Sequence, residues 1–159
     1  MPRLTALLHT HNDGLRLGRC LETVYPCDEI LIVDHGSQDR TLQVAREYGA
    51  RVLDVVAGMS PGEYLRRANA DWVLCLDARE SLTESLAASL FEWKRESLAP
   101  RSSAFSVLLR EETAGGWIEH LAAQIRVVSA EWDRWQGHFP AEGSSAVVLE
   151  GELLRFVHP

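Results

Sequence analysis

The alternation of short apolar runs with helix-patterned segments over residues 1–97 constrains this chain more than any other feature. Glu29 to Asp34 reads EILIVD, and Asp71 to Asp77 reads DWVLCLD. Neither alternates apolar with polar residues, so neither suits a strand with one wet face. Continuous Ile, Leu and Val suit a parallel strand buried on both faces. Residues 4–10 (LTALLHT) and Arg51 to Val56 complete a predicted set of four strands. Between them, Leu17, Cys20, Leu21 and Val24 share one helical face, and Pro26 blocks its extension. A second helix is predicted from Thr41 to Tyr48, with Asp39 or Thr41 as cap, Leu42, Ala45 and Tyr48 inward, and Gly49 as stop. A short helix over 62–69 follows Ser60-Pro61-Gly62. A capping box of Ser81 with Glu84 opens a fourth helix, where Leu82, Leu86, Leu90 and Trp93 recur at helical spacing to about Ser97. Such βα alternation implies a parallel sheet with right-handed crossovers.

Beyond the spacer Leu98 to Ser103 the pattern changes. Ser103 to Glu111, Gln124 to Ser129, Ala146 to Leu149 and Leu153 to Val157 read as strands, a β-rich last third predicted to pack on the same sheet. At 159 residues the chain suits a single domain able to bury its own core. The formal charge of −7 argues against a nucleic-acid or anionic-membrane surface. No apolar run has the length of a transmembrane helix, and Leu4 to Leu8 is too short for a signal peptide. Cys20, Cys27 and Cys75 have neither metal spacing nor an even count, so they read as reduced thiols of a cytoplasmic protein, Cys75 in the core.

Open parallel sheets bind ligands beyond the carboxyl ends of their strands. That rule selects Thr10 and Asn12, then Asp34, Gly36 and Ser37, then Asp77 to Glu80. Any one of these segments is explained by turns and caps. Three together point to a site.

The same segments carry a resemblance. Thr10-His11-Asn12-Asp13 is similar to T-x-N-E, Val33-Asp34-His35-Gly36-Ser37-Gln38-Asp39-Arg40-Thr41 matches V-D-x-G-S-x-D-x-T, and Asp71 to Glu80 follows D-W-V-L-x-L-D-A-D-E. In order and spacing, residues 4–96 resemble the nucleotide-binding half of a family 2 glycosyltransferase of GT-A fold, of the bacterial type acting in cell-envelope and lipopolysaccharide sugar transfer. Trp117-Ile118-x-His120, Gln124-Ile125-Arg126 and Arg134-Trp135-Gln136-Gly137 resemble the acceptor-side hairpin more weakly, and Phe156-Val157-His158 resembles a late family histidine.

The resemblance implies a GT-A-like, Rossmann-like α/β domain over 1–159: a mostly parallel sheet flanked by helices. Residues 1–97 form its nucleotide-binding half and 103–159 its acceptor-side half. It implies a nucleotide-sugar donor, a carbohydrate or lipid-linked acceptor, and nucleotide contacts from Thr10, Asn12, Asp34, Gly36, Ser37 and Asp77. In the family an Asp-x-Asp pair holds Mn²⁺ or Mg²⁺ on the diphosphate, and a later carboxylate acts as general base. Here Arg79 replaces the second Asp, leaving Asp77, with His158 or Glu80, as metal candidates and Arg79 as a direct diphosphate contact. The family's V-H-E stretch falls on Phe139-Pro140-Ala141, so His138 and Glu142 are the catalytic candidates left beside it. Its basic Q-R-N stretch falls near Ser60-Pro61-Gly62, with Arg66, Arg67 and Asn69 close by. His9, His11 and His35 lie near the nucleotide end, but without metal spacing they receive no ligand role. Trp117 and Trp135 are the tryptophans to test for sugar stacking. These departures set a transferase of reduced or lost activity against an inactive nucleotide- or partner-binding domain. A piece of a longer transferase is a third reading.

Overall fold

The computed structural model describes residues 1–96, 102–142 and 146–159; most of the spacer predicted at 98–103 and the helix end at Ser97 lie outside them. The strands are β1 (Leu4–Thr10), β2 (Glu29–Asp34), β3 (Arg51–Asp54), β4 (Trp72–Leu76), β5 (Glu80–Leu82), β6 (Ala104–Thr113), β7 (Gly116–Glu119), β8 (Gln124–Ser129), β9 (Trp135–Gln136), β10 (Phe139–Pro140) and β11 (Val147–Arg155). The helices are α1 (Leu17–Leu21), α2 (Thr41–Glu47), α3 (Pro61–Leu65) and α4 (Glu84–Arg95). Among the described residues, one sheet of nine strands runs β3-β2-β1-β4-β8-β6-β11-β5, with β7 beside β6, and β9 pairs with β10 apart from it.

The predicted parallel strands pair as β3-β2-β1-β4, all parallel. From β4 onward the sheet turns mainly antiparallel, through β8, β6 and β5, with only β11 parallel to β6. Both faces are covered, which is why β1 is mostly apolar and β2 and β4 carry the continuous apolar runs ILIV and WVLCL. Leu4, Ala6 and Leu8 of β1 pack with Leu17, Cys20 and Leu21 of α1, Ala45 of α2, and Leu86, Leu90 and Trp93 of α4. Leu7 points the other way, with Leu31 and Val33 of β2, Tyr64 and Leu65 of α3, Cys75 and Trp132. Among the described residues, no helix is long and apolar enough to cross a membrane.

Four element predictions need correction. Ser81 is not a helix cap. It lies in β5, and Thr83 caps α4 by accepting from the Leu86 N–H at 3.2 Å. The pattern at 80–82 was hidden because three residues are too few to show a strand period. The strands predicted at 146–149 and 153–157 are one strand, β11, whose register against β6 shifts between Val148 and Glu152. Gly151, at φ +93°, carries that irregularity, and glycine in a strand pattern marks a bulge as readily as a break. The helix predicted over 62–69 ends at Leu65. At α2 the cap position falls on Arg40, whose side chain makes no capping bond, rather than on Asp39 or Thr41; Asp39 instead accepts at Oδ1 from the Thr41 N–H and hydroxyl, and Gly49 takes a left-handed φ just past the helix.

Candidate functional site

The strand order places β1 between β2 and β4, with the chain reversing direction across the sheet at that point. Such a switch point opens a crevice beyond the carboxyl ends. Thr10, Asp34 and Asp77 stand there, at the ends of three neighbouring strands.

The loops after β1 and β2 are tied to one another. The buried Asp34 carboxylate accepts from the Thr10 hydroxyl (2.8 Å), the Ser37 hydroxyl (2.6 Å) and the Ser37 N–H (2.9 Å). Desolvation pushes the Asp34 acid up, but the Ser37 and Thr10 hydrogen bonds outweigh it and hold it below the usual range. Asn12 sits at φ +52°. Asn tolerates the left-handed region, and here its N–H donates to Ser37 Oγ while its side-chain oxygen accepts from the Gln38 N–H, each at 2.9 Å. Gly36 (φ +74°) makes the turn between them. Sequence reasoning therefore brought Thr10, Asn12, Asp34, Gly36 and Ser37 together correctly as neighbours.

The third strand end does not form the expected carboxylate site. The Arg79 guanidinium lies across Asp77, with Nε 2.9 Å from Oδ1 and Nη2 3.2 Å from Oδ2, and the Arg79 N–H also donates to Oδ1. Desolvation raises the Asp77 acid, yet Arg79's hydrogen bonds and charge prevail and keep it ionised below the ordinary range. Both Asp77 oxygens are thus engaged by a cation, where the family's metal pair would present free carboxylates. Glu80 is no second ligand. It is fully buried, accepting a bidentate pair from Arg126 (2.7 and 2.8 Å) and a further bond from Arg155 Nη2 (2.9 Å). Among the described residues, neither Asp77 nor His158 joins a group of three or more side chains able to share an ion. His158 is exposed, and its carbonyl accepts from Arg19. The terminus is nonetheless held. The Phe156 N–H donates to the Arg79 carbonyl, and the Arg19 guanidinium covers the Phe156 ring.

The two catalytic candidates are apart. His138 borders a cavity of 420 Å³ with His9, His35, Tyr64 and the 55–59 loop. Glu142 borders another, of 300 Å³, with Gln124, Arg126 and Phe139, and accepts from the Ile125 N–H. Asn69 is tied to Glu29, at the amino end of β2, far along the strand from the crevice. Of the two tryptophans singled out, Trp135 is half-buried and donates to the Trp132 carbonyl, whereas Trp117 is 41% exposed, meets Phe156 edge-on and has the Arg110 guanidinium 5.8 Å from its ring centroid.

Sequence reasoning missed one cluster. His9 Nδ1 lies 2.9 Å from His35 Nε2, and the His138 ring stacks on His9 at 3.9 Å. Burial first, then His138 and His35, push the His9 imidazole down to about 3. No linear spacing reveals it, since the three residues come from β1, the loop after β2 and the β9–β10 turn. The usable signal was that positions 9 and 35 both fall at strand ends.

Comparison with known proteins decides the family. The profile of "Glycosyl transferase family 2" matches residues 5–93. The chain belongs to that family. A TPR repeat-containing protein of Synechococcus elongatus is 32% identical over 127 residues, covering 76% of this chain and 30% of the relative. An uncharacterized glycosyltransferase of Rickettsia felis is 34% identical over 92 residues, covering 54% of the chain and 32% of the relative. This family 2 chain thus spans about a third of the length of the curated relatives it matches. The structure of mannosyl-3-phosphoglycerate synthase from Rubrobacter xylanophilus aligns with a TM-score of 0.55 at 22% identity, over 71% of this chain and 42% of that one. The fold is that of GT-A glycosyltransferases, with its β-rich C-terminal part in place.

Proposed function

We propose that this domain binds a nucleotide sugar and belongs to a protein that transfers the sugar to a carbohydrate or lipid-linked acceptor. The observation that carries the reading is the joined pair of loops after β1 and β2, built from family motif residues at the switch point of a family 2 fold. In this reading Asp34 and Ser37 shape the base and ribose end, with Thr10, Asn12 and Gly36 fixing the loop. Asp77 orients Arg79, and the guanidinium, whose side chain is 44% exposed, meets the diphosphate. Transfer forms a bond from the acceptor oxygen to the anomeric carbon, breaks that carbon's bond to the diphosphate, and passes the acceptor proton to a base. His138 and Glu142 are the candidates for that base. The unbridged thiols and the motif resemblance support a cytoplasmic setting in envelope biosynthesis.

Arg79 in place of a ligand supports diphosphate binding that needs no divalent ion at Asp77. Titration calorimetry with uridine, guanosine and thymidine diphosphates, in Mn²⁺ and in chelator, tests it. Binding by the wild type should survive chelator, and Arg79→Asp should make it Mn²⁺-dependent. Strictly Mn²⁺-dependent binding by the wild type overturns the Arg79 assignment. No binding of any nucleotide overturns the donor-site reading.

The Arg79–Asp77 pair and the separate cavities of His138 and Glu142 also favour a second reading, a binding domain without transfer. Nucleotide binding with no hydrolysis or transfer of a nucleotide sugar supports it.

A further inference from the structure

We propose that His9, His35 and His138 form a binding site for a divalent transition-metal ion, best suited to Zn²⁺, at the cavity beyond β1 and β2. The site is distinct from the Asp77 position and stands whether or not the domain binds a nucleotide sugar.

The three imidazoles arrive from separate elements, yet one ring nitrogen of each lies within 4.8 Å of the others. In a tetrahedral zinc site with Zn–N bonds of about 2.0–2.1 Å, ligand nitrogens stand about 3.3 Å apart. The 2.9 Å between His9 and His35 needs to open by a few tenths of an ångström. The His138 ring, only 11° from parallel with His9, needs to tilt so that its lone pair shares their focus. His138 is exposed in the short β9–β10 turn, so that tilt meets little packing resistance. The His9 ring and the His35 backbone are better held. His9 extends from β1 with the Tyr64 ring edge-on to it at 5.5 Å, and the His35 carbonyl is fixed by His11 Nδ1 at 2.7 Å.

The donor set decides the class of ion. Imidazole nitrogen suits zinc, copper, nickel and cobalt, while Mg²⁺ and Ca²⁺ take oxygen ligands. Ligation requires neutral imidazole, and the burial that opposes protonation of His9 leaves its lone pair available. Three histidines leave a fourth position open, and all three of these line the 420 Å³ cavity.

The test uses untagged protein with Zn²⁺ by calorimetry and Co²⁺ by visible absorption. We expect one Zn²⁺ per chain, displacing Co²⁺ that shows the intense bands of tetrahedral coordination, and not displaced by excess Mg²⁺. His138→Ala should weaken Zn²⁺ binding at least about tenfold with the circular dichroism spectrum unchanged, and His120→Ala should not. His35→Ala provides a second variant should His138→Ala perturb the turn. Absence of stoichiometric Zn²⁺ binding by the wild type, or wild-type affinity in folded His138→Ala and His35→Ala, overturns the proposal.

Discussion

At the scale of single residues, the crevice is governed by which side chains are already taken. Asp77 was legible as a strand-end carboxylate, but that Arg79 lies across both of its oxygens was not, because a sequence shows neighbours and not rotamers. His9 gives the sharpest prediction. Its imidazole is held near 3 in the folded protein against 6.5 when free. Between those values the unfolded chain takes up a proton that the folded chain refuses. Stability is therefore complete above about 6.5 and falls as pH drops, by up to about 1.4 kcal/mol per pH unit. In chelator, urea unfolding of the wild type between about pH 6.5 and 5, above the carboxylate range, should show this slope, and His9→Gln should reduce it, the remainder coming from His138, which burial and then His35 also push down. The same slope in both proteins would exclude His9 as its source.

At the scale of elements, β11 and α4 determine each other. The Thr83 hydroxyl donates to the Glu152 carbonyl (2.8 Å) while capping the helix, and the Ser89 hydroxyl donates to the Glu150 carbonyl (2.7 Å). Gly151 lies between these contacts. A Cβ there would sit on the Leu86 backbone nitrogen and 2.6 Å from its Cα, and φ is +93° besides. Gly151→Ala should cost about 3 kcal/mol or more, because helix backbone cannot yield as a side-chain tip can. Gly58→Ala, also at positive φ (+82°) but with open space around its Cβ position, should cost only about 1 kcal/mol. Chemical denaturation of the two variants separates steric clash from backbone strain, and equal costs would refute the close packing.

At the scale of the whole molecule, the two sequence segments are interleaved. β5 comes from the first segment yet forms the far edge of the sheet, beyond β8, β6 and β11 of the second. Glu80 at its start joins Arg126 of β8 to Arg155 of β11, and Trp72, Trp93 and Phe105 meet across the two segments with centroids 5.4–5.9 Å apart. We expect one cooperative unfolding transition, with tryptophan fluorescence and far-ultraviolet dichroism coincident. Glu80→Ala leaves the Arg126 charge buried without its carboxylate and should cost about 3–5 kcal/mol. Two resolved transitions in the wild type would show that the segments fold separately.

The amino-acid sequence by itself determined the four parallel strands, the helix faces of α1 and α4, the family, and the strand ends where the crevice opens. The strands, helix faces and strand ends follow from local period and from burial on both faces, which any short window records, whereas the family follows from the resemblance of the strand-end motifs. Tertiary structure alone decided that β11 is one bulged strand, that Glu80 turns inward to two arginines, that Arg79 occupies Asp77, and that three histidines meet. Each depends on groups far apart in the chain competing for the same partner, and only the folded geometry selects which contact is made.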